Sequence, residues 1–141
     1  MPYQFAEQTE ETTVEVEAIT IEDLFSLSCH AWRDAALESG DTSSTDWKSA
    51  SFSAENFEGL LLLLLDELNS LLNSKKWVFN SVDKLDLYKQ EDLSFLDADI
   101  YGEPLNEEIH QLKKEIKTVN FRKMKIEKIG EVFTTKIVFG T

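Results

Sequence analysis

Cysteine is nearly absent from this chain of 141 residues: Cys29 is alone. A single thiol excludes an internal disulfide and any multi-cysteine zinc site. Histidine is almost as scarce, with His30 and His110 far apart, so neither has a partner at metal-ligand spacing. Five glycines and two prolines argue against disorder or a repeat array. There is no G-x-G-x-x-G, no G-x-x-x-x-G-K and no G-x-S-x-G, which removes the local signatures of nucleotide cradling and of a nucleophile elbow. Basic residues are outnumbered, 14 against 27 acidic ones, for a net charge of −13. That field repels phosphate backbones, so direct nucleic-acid binding is not expected. No basic start followed by an apolar run opens the chain, and the cytoplasm is the default expectation.

What the chain does have is leucine. Leu60 to Leu65 run unbroken and are followed by Leu68, Leu71 and Leu72. Leucine favours helix and has no β-branch to crowd the preceding turn. Leu61, Leu64, Leu65, Leu68, Leu71 and Leu72 fall on one helical face, with Asp66, Asn69, Ser70 and Asn73 on the other. The run ends at Asp66-Glu67, well short of the roughly 20 apolar residues of a membrane span, so a buried core helix is predicted and no membrane partner. Ser53 is the expected cap, and the helix should stop near Lys75-Lys76.

An earlier helix is predicted from Thr20, a capping residue paired with Asp23, through Phe25, Cys29 and Trp32 to about Glu38. Cys29, in step with Phe25 and Trp32, reads as an inert core thiol. The alternation of V-E-V-E-A in Thr13 to Ile19 is that of a strand with one wet face. Further strands are expected at Tyr3 to Phe5, Trp47 to Phe52, Trp77 to Phe79, Val82 to Tyr88 and Leu93 to Tyr101. Gly102-Glu103-Pro104 should break the order, and Leu105 to Gln111 should form a loop or short turn. Ile116 to Ile129, with a bulge near Arg122, and Val132 to Phe139 close the chain around Gly130. Two helices and about seven strands without β-α-β alternation indicate one α+β domain, residues 1–141. The expected architecture is a twisted, largely antiparallel or mixed sheet with both helices packed on one face.

The acidic turn Glu7-Gln8-Thr9-Glu10-Glu11 is the densest candidate for chemistry. Clustered carboxylates between strands either gather a hard cation such as calcium or magnesium, or form an exposed charged hairpin. Lys117 either faces solvent or reaches an acidic patch, and His110 lies in a loop before the basic segment. A hydrolase that uses Glu7 with His110 is a weaker alternative, since a catalytic set need not be local in sequence.

In order along the chain, several stretches resemble the archease family. Phe5-Ala6-Glu7-Gln8-Thr9-Glu10-Glu11 resembles its F/L-D-H-T-A-D opening, and Ile19 to Phe25 its T-L-E-E-A/L-F helix start. Gly40-Asp41-Thr42 is similar to its D-T loop, and Leu64-Leu65-Asp66-Glu67-Leu68 to its W/F-L-N/D-E-L helix. Gly102-Glu103-Pro104, His110 and Glu115 to Arg122 resemble its G-E-P…H…E-V-K-A-x-T-Y-H stretch. The resemblance implies a non-enzymatic accessory protein that promotes guanylylation and turnover of a GTP-dependent tRNA-splicing RNA ligase. It also implies an archease-like fold and an acidic site for a divalent cation, calcium or magnesium. Glu7 and Glu11 would stand at the metal-binding aspartate positions, with Glu10, Lys117 and His110 as partner-binding or functional residues. Gln8 and Arg122 replace family histidines, and Gly140 occupies the position of a third, aspartate ligand. An alternative is therefore a diverged interaction module of the same fold that has lost metal binding and ligase activation.

Overall fold

The computed structural model describes residues 3–7, 11–39, 43–113, 115–120 and 125–140. In chain order the elements are β1 (Tyr3–Glu7), β2 (Glu11–Ala18), α1 (Ile21–Ala36), β3 (Leu37–Ser39), β4 (Asp46–Ala54), α2 (Phe57–Lys75), β5 (Trp77–Gln90), β6 (Leu93–Pro104), β7 (Gln111–Leu112), β8 (Thr118–Asn120), β9 (Ile126–Ile129) and β10 (Val132–Gly140). The fold is α+β, two helices with antiparallel strands, as the patterning predicts. The strands divide among three sheets instead of joining in one. Five form the row β1-β2-β10-β8 with β9 also on β10, three form β4-β6-β5, and β3 pairs with β7.

Both helices start where their caps dictate. The Thr20 hydroxyl accepts from the Asp23 N–H at 3.1 Å. The leucine helix is capped by Asn56, whose side chain accepts from the Gly59 N–H at 2.8 Å. Ser53 is not the cap: it lies in β4, opposite Phe95. At the far end Lys76 adopts a left-handed conformation, φ 54°, and its N–H bonds to the Leu71 carbonyl. All six leucines of the predicted face are buried, together with Leu60, whereas Leu63 is exposed. Each buried leucine contributes about 1.5–3 kcal/mol, which makes α2 the largest single block of the core. Phe25, Cys29 and Trp32 of α1 meet it, with Val14 and Val16 of β2, Leu96 and Ile100 of β6, and Ile137 and Phe139 of β10. Among the described residues no helix is long and apolar enough to cross a membrane.

Two stretches that bear on the site pair differently from what their local sequence suggests. Gly102-Glu103-Pro104 does not break the chain but completes β6, paired with β4 at Asp46 and with β5 from Trp77 to Phe79. A glycine is needed there because a Cβ on residue 102 would meet the Val78 carbonyl oxygen at 2.1 Å and the Trp77 ring at 2.7 Å. The stretch from Ile116 to Ile129 is not one strand. It contributes β8 and β9, both paired with β10, and the bulge expected near Arg122 lies outside the described residues. Gly130 turns β9 into β10 with φ +64°, where only glycine is unstrained.

Candidate functional site

The two ends of the chain meet on the five-stranded sheet. Glu7 of β1 is opposite Thr12 of β2, and Glu11 of β2 is opposite Gly140 of β10. On its other side Gly140 is opposite Thr118 of β8, and its carbonyl accepts the Lys117 N–H at 2.8 Å. Glu7, Glu11, Gly140 and Lys117 thus follow one another across a single rim. With strands about 4.8 Å apart, that row spans roughly 15 Å of backbone. For Glu7 and Glu11 the description covers the backbone alone, and Glu10 lies outside the described residues.

Three anchors hold the segments that carry the rim. Tyr3, at the start of β1, donates its hydroxyl to the Asp34 carboxylate of α1. Burial, then the bond to Asp34, pushes the Tyr3 phenol up to about 12, so it remains a donor at any physiological pH. In α2, Asn69 donates to the Ile116 carbonyl at 2.7 Å and accepts from the Trp32 indole N–H at 3.2 Å. Ile116 is buried and Lys117, its neighbour, is exposed. One side chain therefore ties both helices to the strand that delivers the lysine. Farther back, the Lys113 N–H bonds to the Ala36 carbonyl at 2.8 Å, which fixes the segment against the end of α1.

His110 belongs to the interior. Its side chain is fully buried, Nδ1 accepts from the Asn106 N–H at 2.9 Å, and Nε2 lies 3.7 Å from a Glu103 carboxylate oxygen. Because Nδ1 is an acceptor, the neutral ring carries its proton on Nε2, facing Glu103 without completing a hydrogen bond. The other Glu103 oxygen accepts from the Ser43 N–H. The ring closes the 106–110 turn, and no partner can touch it without opening that turn. The same burial withdraws it as an open general base, so a Glu7–His110 hydrolase gains no support. His30 is half-buried against Phe79, with ring centroids 5.5 Å apart, and burial, reinforced by Arg33, lowers its pKa. Cys29 is buried in the core, which pushes its thiol pKa up and leaves it inert.

A hard cation takes six or more oxygens, anionic ones foremost. At the third position of the implied set Gly140 offers only a carbonyl, already bonded to Lys117, and a Cβ there would meet Thr118 Oγ1 at 2.3 Å. Among the described residues no three His, Cys, Asp or Glu side chains could together hold a metal ion. Of the implied ligand set only Gly140 has its atoms described, and it brings no anionic oxygen. Sequence reasoning missed Asn69 as the organising residue. Its partners are 37 and 47 positions away, so no local pattern distinguishes it from the other polar residues of α2.

The chain matches the model of the Archease protein family over residues 3–140. It is 29% identical over 129 residues to the protein archease of Thermococcus kodakarensis, covering 92% of this chain and 90% of that one. With the protein archease of Pyrobaculum islandicum the identity is 26% over 137 residues, covering 96% and 92%. Among solved structures, Methanobacterium thermoautotrophicum protein 1598 superposes with a TM-score of 0.81 at 18% identity, over 99% of both chains. The crystal structure of a Thermotoga maritima archease, described as a possible chaperone, gives 0.53 at 20% identity, over 96% and 94%. At these identities the structural likeness carries the fold.

Proposed function

Because the chain belongs to the archease family, which matches residues 3–140, we propose that it is an accessory protein that promotes guanylylation and turnover of a GTP-dependent tRNA-splicing RNA ligase. The observation that carries this reading is the pairing of Glu11 with Gly140 and of Gly140 with Thr118. It puts Glu7, Glu11 and Lys117, 110 residues apart in sequence at the extremes, on one edge of one sheet. A rim with carboxylates at one end and an exposed ammonium at the other suits contact with a protein partner of mixed charge. Glu7 and Glu11, with Glu10 between them in sequence, orient a ligase group; Lys117 meets a carboxylate or a phosphate of the bound guanylate. The net charge of −13 favours a protein partner over free RNA.

The test is ligase guanylylation with and without this protein, using the RNA ligase from the same source. A faster rate is expected, and no change rejects the activator role. A second reading rests on Gly140: a diverged interaction module that keeps the rim and has lost the cation. Calcium titration by calorimetry separates the two. Silence up to about 1 mM places the rim among protein contacts, whereas micromolar binding restores a cation to Glu7 and Glu11.

A further inference from the structure

On the three-stranded sheet, away from the rim, the two edges differ. The β5 edge is guarded by two register shifts, between Phe79 and Ser81 and between Asp83 and Asp86, with Lys84 at φ 52° between the last two. Such bulges twist an edge away from intruding strands. The β4 edge has no such guard. From Asp46 to Ala54 it pairs with β6 in unbroken register, and among the described residues no other strand pairs with it. It carries neither proline nor glycine, and its one lysine, Lys48, lies on the other face, over the Trp77 ring at 5.4 Å.

The outer face beside this edge is acidic and aromatic. Ser49 is opposite Asp99 and Ser51 is opposite Asp97, and β5 adds Asp83 opposite Asp99 and Asp86 opposite Asp97. Like charges directly opposite destabilise a ladder. None of these four aspartates is in an ion pair among the described residues. Asp97 is held in place by Ser51 Oγ at 2.7 Å and the Tyr88 hydroxyl at 3.2 Å. At one end Trp47, 57% exposed, is opposite Tyr101; at the other, Tyr88 stacks on Phe95 at 5.2 Å.

We propose that the β4 edge binds an extended, arginine- or lysine-rich segment of a partner protein, added as a fourth strand. Main-chain bonds to β4 give the attachment. Side chains opposite Ser49 and Ser51 share their face, so long cationic stems lie across those small residues and place their charges at Asp97 and Asp99. Trp47 receives a further cation over its ring. A second copy of this chain is excluded as occupant by charge. Pairing β4 with β4 would join two chains of −13 and line up eight aspartates on one face. This inference does not depend on the ligase reading, and its probe contains no ligase.

The probe is a fluorescent peptide of about ten residues that alternates Arg with Thr, with a Glu–Thr peptide as its counterpart. Anisotropy should show saturable binding of the basic peptide below about 1 mM, weakened by salt, and none of the acidic one. The double variant Asp97→Asn, Asp99→Asn should bind roughly five-fold more weakly, as loss of two exposed pairs allows. Hydrogen exchange should show new protection at β4 amides and none at Lys117. The proposal is overturned by absence of saturation, equal binding of both peptides, an unaffected double variant or protection elsewhere. Dimerisation in sedimentation would overturn it too, since the edge would then belong to a second copy.

Discussion

Asn69→Ala should damage both the stability of the protein and the geometry of its rim. The substitution removes two bonds at once, from Asn69 to the Ile116 carbonyl and from the Trp32 indole to Asn69. Trp32 and Ile116 are 1% and 3% exposed, so water can reach the vacated place only from the half-buried side of Asn69. An unsatisfied buried group costs about 1–3 kcal/mol. Two such groups cost about 2–6 kcal/mol, water meets part of that at the half-buried site, and higher helix propensity returns about 0.7 kcal/mol at most, so a net loss of about 2–3 kcal/mol is expected. With an unfolding entropy near 2.1 cal/mol/K per residue, a chain of 141 residues loses about 7–10 °C in Tm. Asn73→Ala, one turn further along the same helix, is the control. Its side chain has no hydrogen bond among the described residues, and Tm should move by less than about 2 °C. Calorimetry reads the stability and hydrogen exchange reads the rim, where the Lys117 amide should exchange faster in Asn69→Ala alone. A Tm drop no larger than the control's, with Lys117 protection intact, would refute the claim that Asn69 holds the segment.

Three more perturbations address separate parts of the structure. Gly102→Ala should cost about 3 kcal/mol in urea unfolding, because its Cβ meets the Val78 carbonyl, which a side-chain rotation cannot relieve. Burial lowers the His30 pKa in the folded state. The unfolded chain therefore binds the proton more readily, and stability should fall as pH drops from about 7.5 through the unfolded value near 6.5. His30→Gln should remove that component of the slope; an identical slope in the variant would contradict the burial argument. Cys29, buried with its thiol pKa raised, should resist a disulfide reagent at about pH 8 in the native protein and react fully in denaturant.

Periodicity made both helices and most strands legible, because burial of an apolar face leaves a repeat of 3.6 or 2 in the sequence. The Thr20 cap was equally visible, since its partner Asp23 is three residues away. Where local cues competed, they misled. Ser53 is a good capping residue, but pairing with Phe95 keeps it in a strand and passes the role to Asn56. Gly102 and Pro104 look like a break, yet the glycine is required by the close approach of Trp77 and Val78, and the proline ends an already paired strand. The division into three sheets had no local signal, because pairing partners are chosen across the whole chain. The family resemblance groups Glu7, Glu11 and Gly140 as one implied site, but it carries no sign of the contacts that anchor the strands bearing them. Asn69 and the burial of His110 depend on contacts between distant segments, and their one-letter context is that of ordinary surface residues.

The proposed action of Glu7, Glu11 and Lys117 from one rim is put to the test by the guanylylation rate of the ligase with a triple variant. Glu7→Gln, Glu11→Gln and Lys117→Ala are combined, with calorimetry to show that the variant is folded. The unaltered protein should accelerate the reaction, and the folded variant should leave it no faster than with ligase alone. Equal acceleration by both would mean that these three side chains have no part in it.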